Sequence, residues 1–393
     1  MVGGRARGWR RTSAWIGLLA AMGIVGLAAG TAHADYAPSG TDVVGVGGET
    51  PQYNVDFGAD GDTSGDLGYN AANNVNKLVS IDATADSNGR AAYAQGSTEA
   101  SPKNLSPTVV FRAGTNPVQR ITSTGGGYTA LLADTGQVQK INFTRAASLP
   151  TSANQTTAQN NGWQGLHVVQ IGTDPLEVVA ANTTNAPAGL SAAELVKIYN
   201  GSYQQWNQIP GNSGGSANAI IPLIPPSGSS ISKTFLNDLK AANGGTAVTL
   251  ASNVITVEQN DPGAVTGASS PADAIVPFSI GRLNLWNSGY FHSPTAPFPG
   301  GAALQPGVKA LTGTPPDAGS VYDDVNGLYV VFRQSDANSP TPWQPGSTKN
   351  WVQTLFSDTT GGTPFFKKPA GQALVAAAGG VPGYNDLGIV SAG

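Results

Sequence analysis

The sequence predicts an α/β protein of mixed sheets flanked by helices, divided into two lobes. Three observations carry that expectation. Apolar runs of strand length alternate with amphipathic runs of helix length, the pattern of sheets that are at least partly parallel. The chain has 393 residues, more than one hydrophobic core ordinarily holds. Apolar residues make up 40% and charged ones only 11%, which suffices for a core and leaves Gly, Ser, Thr and Asn to fill long loops.

The first residues read as an address. Arg5, Arg7, Arg10 and Arg11 precede the apolar run "WIGLLAAMGIVGLAAG", and "AHA" ending at Ala34 is a small-residue cleavage site. Residues 1–34 are therefore expected to be a signal peptide, whose apolar core is too short to span a bilayer. The exported, soluble chain would begin near Asp35. Its balance is 16 basic against 24 acidic side chains, a net charge of −8. That argues against nucleic acid or an anionic membrane as partner, since both need a basic patch. The chain contains no Cys. Disulfides, thiolate metal sites and a lipid anchor on cysteine are therefore excluded.

Along the chain, "DVVGVGG" reads as a buried strand entering a glycine turn, and "GADGDTSGDLGYNAANN" as loop. "KLVSIDA", "PTVVFRAG" and "QRITST" are short strands, "GGGYTALLADTG" a turn and helix, and "VQKINFTRAAS" a strand. "LHVVQIGTDPLEVVAAN" supplies two apolar, β-branched runs. "GLSAAELVKIYNG" holds the clearest helix start: Ser191 and Glu194 form a capping box, and Gly201 follows the last periodic residue. "AIIPLI" is strand-like, and after a small-residue turn Ile231, Phe235, Leu236 and Leu239 share a helix face. "TAVTLASNVITVEQND" and "AIVPFSIGRL" read as strands, and "NWVQTLF" and "AGQALVAAAGG" as helices.

Several stretches invite chemistry. "SGSSISK" lies between a strand and a helix, where free amides and the positive end of the helix dipole can hold an anion. Its Ser230 and Lys233 also have the spacing of serine acyltransferases, but the companion Lys-Thr-Gly and Ser-Asp-Asn motifs are missing. Asp60, Asp62, Ser64 and Asp66 echo a calcium loop, but Ala71 stands where the last acidic ligand belongs, and a solvated acidic turn is the preferred reading. Outside the leader, His167 and His292 have no ligand-spaced companions, which argues against a metal or Ser-His-Asp site. No cofactor is implied.

Taken together, "LSAAELVKIYNGSYQQWNQIPG" and "IIPLIPPSGSSISKTFLNDL" resemble the helix and ligand loop of the phosphate ABC transporter substrate-binding proteins. "GVGGETPQY", "TSTGGGYTAL", "INFTRAAS" and "AAAGGVPGY" are similar to other segments of that family. The resemblance implies a periplasmic binding protein type II fold with two hinge crossovers. Residues 35–180 and 273–393 would form one lobe, with insertions near 58–105 and 296–325, and residues 181–272 the other. It further implies a ligand set of Gly48, Glu49 and Thr50; Ser123, Thr124 and Gly125; and Gly228, Ser229 and Ser230, with Ser148 completing it. The chain departs from the family at three places: Pro225 stands for its arginine, Ile231 for its threonine and Ala147 for its acidic residue. Arg145 is a candidate replacement cation, because a guanidinium forks two hydrogen bonds to an oxyanion.

The expected function is a secreted, monomeric solute-binding protein that closes on phosphate or another oxyanion without catalysis and serves an ABC transporter permease. Two competing readings are a surface or adhesion protein that reuses the scaffold and, more remotely, a serine hydrolase at Ser230 and Lys233.

Overall fold

The apolar runs join into one sheet. In this computed structural model, which describes residues 37–62, 64–73, 75–83, 108–287 and 307–392, the strands are as follows. β1 (Val43–Gly47), β2 (Leu78–Ser80), β3 (Thr108–Val109), β4 (Val118–Gln119) and β5 (Phe143–Ala146) come first. β6 (Leu166–Ala181), β7 (Ile221–Ile224), β8 (Ile255–Thr256), β9 (Ala274–Ser279), β10 (Val308–Ala310), β11 (Asp323–Arg333) and β12 (Val381–Ile389) follow. The main sheet runs β2-β1-β5-β11-β6-β9-β7-β8, with β10 and β12 also paired to β6, while β3 and β4 pair separately. β1 lies parallel to β2 and β5, and β7 parallel to β8 and β9. β6 is antiparallel to each of its neighbours. The sheet is therefore mixed, and with its flanking helices it forms the two-lobe α/β fold expected from the sequence. The signal peptide lies outside the described residues, as do 84–105 and 296–306 of the two expected insertions.

β6 organises the molecule. Its first half pairs with β12 through Thr173, and its second half pairs with β9 from Leu176. The two runs read separately in the sequence are thus one 16-residue strand. The break between them, Asp174-Pro175, looks like a turn in sequence. In the sheet it falls where β12 has ended and β9 has not begun, an edge where proline's missing N–H is tolerated. Around the first half pack Val169, Ile171, Val330, Phe332, Phe356 and Phe366. Around the second pack Leu176, Val178 and Ala180 with Tyr199, Trp206, Phe235 and Ile275. Leu311 and Tyr322 join this second core. That half therefore draws in more of the chain than residues 181–272. Trp206 is fully buried, and its indole N–H donates to Asp273 at 2.9 Å, so "WNQIPG" anchors this core.

Several helices follow their local signals. Ser191 and Glu194 make both bonds of the capping box for Ala192–Tyr199. Ser230–Ala242 buries Ile231, Phe235 and Leu239, and Trp351–Leu355 and Pro369–Ala377 lie where the sequence puts them. Elsewhere the structure differs. Gln52–Asp60 is a helix that no side chain caps. "AIVPFSIGRL" is strand only to Ser279 and then turns into the helix Ile280–Asn287. The "AAAGGVPGY" segment feeds β12, whose side chains are largely exposed and carry no alternating pattern. Helix Ile280–Asn287 lies between the halves: Leu285 and Trp286 pack with Tyr53, Phe57 and Leu374, while Leu283 packs with Val276 and Phe278.

Candidate functional site

Three loops that lead into helices meet in one place. The first leaves β1 and enters Gln52–Asp60, the second enters Thr124–Ala133, and the third leaves β7 and enters Ser230–Ala242. Each ends at a helix start, where unpaired amides and the helix dipole favour negative charge.

The first loop is drawn tightly against β5. Gly47 has φ +116°, and a Cβ there would lie 2.4 Å from Thr144 Oγ1 and 2.5 Å from the Arg145 carbonyl oxygen. Only glycine permits this approach. The Gly48 amide then donates to the Arg145 carbonyl at 2.9 Å. Gly127, in the second helix, closes the same contact from the other side, 2.8 Å from Gly47 Cα as measured from a Cβ placed on it. Thr124 accepts from the Ala147 amide at 3.2 Å, so the second loop is tied to the end of β5.

Two contacts join the third loop to the first and second. Thr50 Oγ1 and Ser230 Oγ lie 3.3 Å apart, buried, across 180 residues of sequence. Lys233 comes within 3.9 Å of where a Gly125 Cβ would be. The structure thus brings together Gly48, Thr50, Thr124, Gly125 and Ser230 of the expected set. Ser123 and Ser229 spend their hydroxyls on capping, accepting from the Gly126 and Ser232 amides at 3.1 and 3.0 Å. Gly228 is exposed beside them. Ser148 is also exposed, and its carbonyl accepts from Tyr128 at 2.8 Å.

Arg145 and Glu49 have other partners. The Arg145 guanidinium turns into the first half, where it donates to Ser80 Oγ and to the Ile81 carbonyl (2.6 Å) and lies 3.8 Å from Asp56. Burial lowers the Arg145 pKa, against the pull of Asp56 and Asp82. Burial and then Asp82 push the Asp56 carboxyl well above its ordinary range. Glu49 faces Arg282, 2.7 Å away, and accepts from Asn260 at 2.8 and 3.0 Å and from Gln259. Sequence reasoning missed Arg282, Gln259 and Asn260. They stand more than 200 residues from Glu49, and no local spacing marks them. Lys233, whose spacing from Ser230 echoes an acyltransferase, is an exposed cation at the loop junction.

The other candidates resolve locally. Asp62 Oδ1 accepts from the amides of Ser64, Gly65 and Asp66 at 2.8 to 3.0 Å, and Asp60 accepts from Asn70 at 2.9 Å. These carboxylates fold a turn, and among the described residues no three such side chains group as metal ligands. Ser230 is bonded to Thr50, and Lys233 is exposed. His167 meets Asp386 at 2.5 Å and Gln334 at 2.7 Å, and Ser357 donates to the other oxygen of Asp386 at 2.6 Å. The carboxylate therefore stands between serine and histidine, the wrong order for a nucleophilic triad. Burial pushes the Asp386 pKa up, but the hydrogen bonds from His167 and Ser357 outweigh it and hold it at about 2.

Comparison with known proteins adds three findings. A family model described as a PBP superfamily domain matches residues 83–359. The chain is similar to an ABC-type phosphate transport receptor from Vibrio cholerae: 13% identity, 86% of this chain and 99% of that one, TM-score 0.47. It is also similar to a phosphate binding protein from Stenotrophomonas maltophilia, at 13% identity over 87% of this chain and 90% of that one, TM-score 0.45. No curated protein matches the chain.

Proposed function

We propose, for a chain that belongs to the PBP superfamily-domain family, that it is a secreted solute-binding protein holding a small oxyanion between its lobes without catalysis. The observation that carries this reading is the meeting of the loops: Thr50 and Ser230 hydroxyls 3.3 Å apart, Thr124 against the first loop, and Lys233 beside Gly125. Hydroxyls, free helix amides and one ammonium make a site rich in donors, and an oxyanion is rich in acceptors. Lys233 takes the role the sequence gave to Arg145, whose guanidinium is spent on Ser80 and Ile81.

The arginine-led start, apolar run and small-residue site of residues 1–34 support export, and among the described residues no helix is long and apolar enough to cross a membrane. A monomer that delivers its solute to an ABC permease completes the reading. Inorganic phosphate and sulfate are the first probes, by isothermal titration. Saturable binding, weakened about tenfold in Lys233→Ala, is expected, as for the loss of one charge-assisted hydrogen bond. No heat with either anion would overturn the oxyanion reading.

A further inference from the structure

Beside the loop junction lies a second polar cluster that oxyanion binding does not use. Glu49 is 2% exposed, and a carboxylate so deeply buried is stable only when paired and hydrogen-bonded. It has both. Arg282 Nη2 lies 2.7 Å from Oε1, Asn260 Nδ2 reaches both oxygens at 3.0 and 2.8 Å, and Gln259 Nε2 donates to Oε2.

These donors are themselves buried, Gln259 3%, Asn260 1% and Arg282 3% exposed. Asn260 and Arg282 are further held by contacts that do not involve Glu49. The Asn260 carbonyl oxygen accepts from the Ser279 amide at 2.9 Å, which turns its NH2 toward the carboxylate. Asn260 sits at φ +55°, a left-handed conformation that asparagine tolerates better than most residues. The Arg282 guanidinium lies 4.3 Å from the Tyr53 ring centroid, and its backbone amide donates to Ser279 Oγ at 3.0 Å. One cation and two oriented amides around a planar anion are the elements of a carboxylate receptor.

We propose that Gln259, Asn260 and Arg282 form a carboxylate-binding site whose occupant is tethered: the Glu49 side chain, which docks the first loop onto the segment after β8. The loop Gly48–Thr50 is then held in place by an internal ligand whether or not a solute is bound. Removing the tethered carboxylate leaves the receptor open to a free one. This inference does not rest on the oxyanion reading, and failure to bind phosphate leaves it untouched.

Chemical rescue tests it. Glu49→Ala removes the two outer carbons of the side chain, and acetate has the same two. The expected result is a variant that melts below the wild-type protein and whose Tm rises saturably with acetate, by several degrees more than in chloride of equal ionic strength. The wild-type protein, its site filled, shows no such rise. Glu49→Gln, which occupies the space without the charge, shows none either, and Glu49→Ala combined with Arg282→Ala loses the rescue. An acetate response in Glu49→Ala no larger than in wild type, or one that survives loss of Arg282, overturns the proposal. Where Glu49→Ala does not fold, Glu49→Gln followed by amide hydrogen exchange decides the matter. Faster exchange, by tenfold or more, in both 48–52 and 259–263 is expected, and unchanged exchange there rejects the tether.

Discussion

The first and third loops do the same geometric job, carrying the chain from a strand into a helix at the junction of the lobes, but they are built in opposite ways. The first, Gly48 to Gln52, is buried throughout, pressed onto β5 by Gly47 and pinned by the Glu49 carboxylate, and no side chain caps its helix. The third has Pro226, Ser227 and Gly228 exposed, open space around Gly228, and a cap from Ser229. One loop is fixed by tertiary contacts and the other by its own local bonds. The first should therefore be sensitive to distant substitutions, and the third chiefly to its own cap.

The sharpest way to break this contrast is Arg282→Ala, which strands the buried Glu49 carboxylate. A loss of about 3–5 kcal/mol in urea unfolding is expected, and a loss below 1 kcal/mol would remove the distinction between the loops. Next comes Asp174, which accepts from the Gly281 amide at 2.8 Å and so holds the turn before Arg282. Burial raises its carboxyl pKa from 3.8 to about 7. A folded pKa above the unfolded one means stabilisation that is full below the unfolded value and lost as pH rises through the folded one. Stability of the wild-type protein relative to Asp174→Asn should thus fall by a few kcal/mol between about pH 4 and 7.5; parallel pH profiles would show that Asp174 is not the group sensed.

A paired glycine test follows. Gly47→Ala meets both a positive φ and a carbonyl oxygen, and should cost about 1–3 kcal/mol or more. Gly228→Ala, with nothing within 4 Å of the new carbon, should stay within about 0.5 kcal/mol. Equal effects would place the two loops in one class. Ser229→Ala should cost about 1 kcal/mol through the lost cap. Smallest is the Thr50–Ser230 pair, whose double-mutant coupling should be about 0.5–1 kcal/mol.

The same contrast explains what the sequence disclosed. Features written within four residues were readable: the Ser191–Glu194 box, and the small-residue turn before Ser230. The helix Gln52–Asp60 was not, because it lacks a cap and buries Gln52 and Asn54, polar residues that mask its apolar face. The first turn of helix Ile280–Asn287 was read as strand because Ile280 and Leu283 prolong the apolar run of β9. The direction of Arg145 could not be told from strand parity, since every residue of β5 is buried and neither face reads as outward. The Glu49–Arg282 contact is a purely tertiary fact, spanning 233 residues.

The long strand β6 has one further consequence. Leu166 and Val168 enter one core, Val169 and Ile171 a second, Leu176, Val178 and Ala180 a third, and Val179 and Ala181 a fourth. A single stretch of sixteen residues is thus a shared wall of four rooms. Neither lobe can be inherited, exchanged or expressed without it, and a break anywhere along it exposes apolar surface on both sides of the cut. The partition that separates the lobes is also the beam that carries them.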